Sequence, residues 1–383
     1  LDLGSLFKKY ESFCFIVCKT QVHFSTERLF KMKIPLMLFS VFAVLTLCLP
    51  LVAVGSSLPV PAPAQSTVQA SQQPAQAVSQ AEVNKVPQQD TPELQTIEAA
   101  DTFRILNRST GKVQKVKRID YVRGAVCAEM PPSFHTQSLA AQAVAANTYA
   151  VRCQIEQKKN ADPGLKGADF SADPDNWEGY VTEAQAKERF GDKFDIYWDK
   201  ICKAADLGSS YVMAYEDEPI VAAYHAISTG QTEYAGNVWQ GSAPYLVPVE
   251  SFGDTLAPNY ESTAEFTAQE VQEKLLAEDS GIQLGKDKNT WLRVVSRSES
   301  GYVLSVMAGN KQLAGKDIRR VFGLRSADFD LASNGNTFTF TIRGYGHGVG
   351  LSQYGADYMA RQGSTFDEIL NHYYTGCELK MVA

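Results

Sequence analysis

No dense run of lysine and arginine occurs in the C-terminal two thirds of this 383-residue chain, and its formal net charge is -7. Counterion release from a nucleic-acid backbone needs such a basic footprint, so no nucleic-acid partner is expected. The sequence also lacks C-x-x-C pairs and an H-E-x-x-H motif, and His135, His225, His347 and His372 lie far apart. A zinc site would need ligands gathered by the fold alone, so neither a metal nor another cofactor is expected. A G-x-S-x-G elbow is missing too: Ser228 sits in AISTG, which argues against a serine nucleophile paired with His225 or His347. No long internal repeat is visible.

What is present is apolar material, 44% of the residues, with 10% aromatic. That suffices for one substantial globular unit or for two lobes. Of the seven cysteines, Cys14, Cys18 and Cys48 lie in or before an apolar N-terminal segment. Cys127, Cys153, Cys202 and Cys377 remain for the body, either as up to two disulfides or as buried thiols acting as small hydrophobes.

Ile34 to Val54 reads IPLMLFSVFAVLTLCLPLVAV, 21 residues without a charge, and a helix needs about 20 such residues to cross a bilayer. Arg28, Lys31 and Lys33 precede it, which places the N-terminus inside and the remainder outside the cell membrane as a single-pass protein. The rival reading is a signal peptide cleaved near VAVGSS. Lipid attachment at Cys48 is disfavoured because Leu47 stands where a small residue is needed. Residues 1–33 form a short cytoplasmic segment, of which 1–31 read as an over-extended start before Met32. Residues 55–100, rich in Pro, Gln and Ala and without Trp, Tyr or Phe, form a flexible spacer.

From 101 to 383 the pattern is α+β, mixed helices and short strands. KVQKVKRIDYVRGAV runs from an extended start into a short helix, and residues 138–157 carry Leu139, Ala143, Ala146, Ala150 and Cys153 at helical spacing. Segments 211–215, 220–224, 291–298, 302–307 and 337–342 read as strands. Segments 264–276, 357–361 and 366–373 read as helices.

Three stretches carry candidate chemistry. Glu129 lies in AVCAEMPPSFH, where apolar neighbours favour the protonated form, so its carboxyl can donate a proton near neutral pH. Its bland alternative is a solvated glutamate at a helix end. GYGHGVGLSQYGA places His347, Gln353 and Tyr354 beside glycines that permit close backbone approach to a ligand. The plain alternative there is a strand-to-helix turn with a structural histidine. AAYHAISTGQTEYAGNVW gathers His225, Ser228, Gln231 and Trp239; Ser228, Gln231, His347 and Gln353 are candidate contacts to a sugar or to Glu129.

Together, YVRGAVCAEMPPSFHTQSLAAQAVAANTYAVRC, YHAISTGQTEYAGNVWQGSAPYLVPVES and GYGHGVGLSQYGADYMARQGSTFDEILNHYYTGCEL resemble the stage II sporulation protein D / amidase-enhancer family, from about Phe103 to the C-terminus. The resemblance implies a membrane-anchored lytic transglycosylase acting on peptide-stripped peptidoglycan glycan strands during engulfment, with Glu129 as its single acid/base. It implies a membrane-bound complex with a peptidoglycan amidase/endopeptidase and a multi-spanning membrane protein. A non-catalytic glycan-binding enhancer of an amidase is the alternative. The family pattern L-K-A-Q-A-x-A-A-R-T-Y is altered here, with Ala140 for the Lys and Asn147 for the Arg, leaving Arg152 as the nearby cation. The zinc-binding histidines and cysteines of some relatives are replaced by GADFSADPDNWEGYV, in keeping with a metal-free expectation.

Overall fold

A computed structural model describes residues 96–383 apart from Gln240 and Ser242. The expected anchor at 34–54 and nearly all of the spacer lie outside the described residues. Among the described residues, no helix is long and apolar enough to cross a membrane.

The chain enters through β1 (Thr96–Ile97), β2 (Thr102–Asn107) and β3 (Val113–Lys117), then forms α1 (Arg118–Glu129) and α2 (Thr136–Lys159). β4 (Phe170–Ala172), α3 (Glu183–Phe190), α4 (Phe194–Gly208), β5 (Tyr211–Tyr215), β6 (Glu218–Pro219), β7 (Tyr224–His225) and α5 (Ala235–Val238) follow. Next come β8 (Glu261–Thr267), α6 (Ala268–Glu278), β9 (Leu292–Arg297), β10 (Val303–Ala308), β11 (Lys311–Ala314), α7 (Gly315–Phe322), β12 (Asp328–Ser333) and β13 (Thr337–Arg343). The chain closes with β14 (Leu351–Ser352), α8 (Gln353–Arg361), α9 (Phe366–Tyr373) and β15 (Glu378–Val382). The α+β expectation holds.

The central element is α2. Its alanines at 140, 141, 143, 145, 146 and 150 are all buried, so the helix is covered nearly all round, as its small side chains permit. Gly208 of α4 lies so close that an added Cβ would stand 2.7 Å from the Ala140 carbonyl oxygen. One core joins α2 to β2, α1, β4 and α4 through Phe103, Tyr121, Leu139, Phe170 and Ile201. A second core joins the same helix to Met213, Leu351, Ile369 and Tyr373.

Residues 261–343 fold around a third core that includes Val271, Val306, Phe329, Phe338 and Phe340. It is built on two three-stranded sheets, ordered β11-β10-β9 and β12-β13-β8. The other sheets are β1-β15-β5-β6, β3-β2-β4 and the short pair β14-β7.

Two expected elements differ. Glu261–Thr267 is strand β8, paired along its length with β13, so the segment expected as a helix over 264–276 begins as strand. Thr267 then caps α6 through a reciprocal capping box with Glu270. Within 220–224 only Tyr224 is a strand residue; the stretch before it is irregular. The four body cysteines form no disulfide among the described residues, with Cys127, Cys153 and Cys377 buried and Cys202 half-buried. Burial pushes the thiols of Cys127 and Cys377 up to about 12, so both stay protonated and inert at neutral pH.

Candidate active site

Glu129 is the last residue of α1 because Pro131 follows Met130: a residue before proline is driven out of the helical region, and Met130 is extended at φ -124, ψ 143. The helix therefore stops on the acid. The segment beyond is clamped to α8. Phe134 packs edge-on against Tyr354 at 4.8 Å between ring centres, and the Asp357 carboxylate accepts the His135 backbone N–H at 2.6 Å. Arg361 donates to the Ser133 carbonyl from the same helix.

Two further segments meet at Glu129. β7 and β14 pair in parallel, with Tyr224 opposite Leu351 and His225 opposite Ser352. This register joins the AAYHAISTG and GYGHGVGLSQYGA stretches, which are over a hundred residues apart in sequence. The close approach depends on glycine: a Cβ at Gly350 (φ +74) would stand 2.1 Å from the Ala223 carbonyl oxygen, and one at Gly348 (φ +81) 2.1 Å from the Tyr302 hydroxyl. Asp254 ties the joint from below. Its carboxylate accepts the Ser228 N–H at 2.9 Å and the Ser352 hydroxyl at 2.6 Å.

Burial pushes the Glu129 carboxyl up to about 7, against hydrogen bonds from the Tyr224 side chain and the Gln353 side chain that favour the charged form. Its place at a helix C-terminus, where a negative charge is disfavoured, acts in the same direction as burial. The groups that tune it are thus a phenol and an amide rather than a cation or a second acid. Gln353 is held in turn: its Nε2 donates to Gln142 Oε1 of α2 at 3.3 Å.

His347 is buried beside this joint. The Val349 N–H donates to its Nδ1 at 3.1 Å, which leaves the proton on Nε2. His225 Nδ1 lies 3.1 Å from the Val349 carbonyl, which can only accept, so His225 is protonated there instead. The two rings are 5.7 Å apart, and Trp239 stands edge-on to His347 at 4.9 Å. Burial depresses both histidines, His225 to about 4 and His347 well below its ordinary value, with the Arg319 charge acting the same way. Both rings are neutral at physiological pH.

Of the residues singled out from sequence, Glu129 and Gln353 are in direct contact, and His347 is close behind Tyr224. Ser228 is fully buried, and its hydroxyl accepts the Gly230 N–H rather than meeting a histidine. Gln231 forms a backbone bridge with Glu250. Neither Ser228 nor Gln231 is among the partners of Glu129. Asn147 is fully buried, donating to the carbonyls of Ser209 and Tyr211, and Arg152 donates to the Pro219 carbonyl. Tyr224 and Gln142 were not singled out as site residues, although Tyr224 heads the second quoted stretch and Gln142 falls on the Q of L-K-A-Q-A. Among the described residues, no group of three or more His, Cys, Asp or Glu is placed to hold a metal ion.

Fold and site together define an α+β protein with a single desolvated acid at a helix end, facing a glycine-rich turn. A family model described as Stage II sporulation protein matches residues 107–215. Stage II sporulation protein D of Bacillus subtilis is 36% identical over 278 residues, covering 72% of this chain and 77% of that protein. Its counterpart in Bacillus amyloliquefaciens is 36% identical over 275 residues, with the same coverage. The amidase enhancer of Bacillus subtilis is 25% identical over 314 residues, covering 67% of this chain and 40% of that protein. The chain belongs to the stage II sporulation protein D family.

Proposed function

We propose that this protein is a lytic transglycosylase that cuts peptidoglycan glycan strands during sporulation, with Glu129 as its one acid/base. The observation that carries the reading is a carboxyl held near a pKa of 7 by burial, with only neutral hydrogen-bond partners. Such a group is poised to serve as acid and then as base.

Protonated Glu129 gives its proton to the glycosidic oxygen as the bond from muramic C1 breaks. The resulting carboxylate takes the proton of the same sugar's C6 hydroxyl, whose oxygen closes on C1 to form a 1,6-anhydro ring. Proton and electron pairs balance without water, and the acid is regenerated. A hydrolytic glycosidase needs two flanking carboxyls, whereas an intramolecular hydroxyl needs only one and loses little entropy on attack. In this reading Tyr224 and Gln353 steady the carboxylate, and His347 supports the Tyr224 segment. Ser228 and Gln231 shape the loop rather than touch sugar.

The apolar stretch at 34–54, with its basic residues on one side, supports an anchor that places this domain outside the cell membrane, and the spacer gives it reach. Within that setting, a membrane complex with a peptidoglycan amidase is the natural partner class. The similarity to an amidase enhancer favours a second reading, a non-catalytic glycan-binding activator.

Digestion of peptide-stripped and intact peptidoglycan by the wild type beside Glu129→Gln separates the two. Transglycosylase action predicts anhydro-ended fragments from the wild type and at least a hundredfold less from the variant. Loss of neither product nor amidase stimulation in Glu129→Gln would sink the acid/base role. Stimulation of an amidase without any glycan product would favour the activator.

A further inference from the structure

Gln142 is a polar side chain with no exposure at all, set among the alanines of α2. Alanine would suit that packing better, and burying an amide costs free energy unless its hydrogen bonds are made. Here one bond is made: Oε1 accepts from Gln353 Nε2 at 3.3 Å, while the Nε2 of Gln142 has no partner among the described residues. Packing alone therefore does not account for this side chain. What its one bond does is fix the next amide. Gln353, itself 6% exposed at the start of α8, has two N–H groups on one nitrogen. One of them is taken by Gln142, and the other side-chain partner of Gln353 is the Glu129 carboxyl.

We propose that Gln142 is a positioning residue: by accepting one N–H of Gln353, it sets that amide to donate its other N–H to the carboxylate form of Glu129. α2 and α8 thereby reach the acid on α1 through a chain of two amides. The contribution of Gln142 to turnover rests on the acid/base reading above, but its effect on Glu129 does not.

A donor to the charged form holds a carboxyl down, so losing it lets burial push Glu129 further up. The groups facing Glu129 are the Tyr224 phenol from β7 and the Gln353 amide from α8. The experiment is a carbon-13 NMR titration of the Glu129 carboxyl in wild type, Gln142→Met, Gln353→Met and the double variant, with the pH–rate profile recorded on soluble peptide-free glycan. Each single variant should raise the Glu129 midpoint by about one pH unit, and the double variant no further. The falling limb of turnover at high pH should move up with it while kcat drops.

If Gln353→Met raises the midpoint and Gln142→Met leaves it at the wild-type value, the positioning role is wrong. An unchanged midpoint in Gln353→Met would overturn it equally. Should Gln142→Met fold poorly, Gln142→Leu supplies the same removal with a different shape. Titration shifts without glycan cleavage in any protein would leave the amide chain standing and remove the acid/base reading. Cleavage dependent on Glu129 but indifferent to Gln142 would do the reverse.

Discussion

At the scale of single residues, Glu129 opposes stability in order to be useful. An unfolded glutamate titrates near 4.5 and the folded one near 7. Below the first value both states are protonated and the group is neutral in its effect; above the second the folded state carries an unfavourable charge on a half-buried carboxyl. Linkage puts that penalty at about 3 kcal/mol once pH exceeds the folded pKa, entering progressively between the two values. Glu129→Gln should therefore melt at a similar temperature to the wild type at pH 4 and higher at pH 8. A variant equally or less stable at pH 8, measured by thermal unfolding, would contradict the desolvated carboxyl. Tyr224→Phe removes one donor to the charged form. It should move the high-pH limb of activity upward and lower kcat about tenfold, and a pH–rate profile checks both.

The residue scale is also where the sequence is most uneven. The apolar neighbours of Glu129 left a solvated helix-end glutamate open, and its acid/base assignment came from the resemblance carried by three ordered stretches. Tyr224 and Gln142 were not singled out, because their roles come from the pairing of β7 with β14 and from the seating of α8 on α2. Both residues lie in the quoted stretches, but their contact with Glu129 is a tertiary relation that the stretches do not state. Ser228 was a candidate contact to sugar or to Glu129; in the fold its hydroxyl closes a buried turn.

Among elements, the joint between β7 and β14 carries the site, and glycine makes it possible. Gly350→Ala would place a Cβ 2.1 Å from the Ala223 carbonyl oxygen at a φ that L side chains avoid. The expected loss is about 2–4 kcal/mol in urea unfolding, with activity falling because Tyr224 is displaced. Wild-type stability with reduced activity would mean the close approach is not maintained in solution. Legibility follows the same line. α2 was readable because its small residues recur at helical spacing. The end of β8, residues 264–267, reads as the start of a helix because it runs straight into the helical pattern that follows; its strand pairing is imposed by β13 on one side. The reciprocal capping box of Thr267 and Glu270 sets where the helix begins.

For the whole molecule, the groups identified around Glu129 among the described residues are drawn from α1, α2, β7 and α8. In the proposed reading, an anchor and spacer would set where the domain acts. A chain beginning near residue 93 should cleave solubilised peptide-free glycan at a rate within a few-fold of the full protein, while losing its association with membranes. A truncated protein that folds, by circular dichroism, yet cuts nothing would show that the N-terminal region completes the site.

The central claim is that one carboxyl performs a cut in which water takes no part. Digestion of peptide-stripped glycan in oxygen-18 water, followed by mass spectrometry of the new ends, tests it directly. The account predicts muramic ends lighter than the hydrolytic product by one water and free of the heavy oxygen. Reducing ends carrying one oxygen-18 would contradict it, and would require a second acid or base to bring water to the bond.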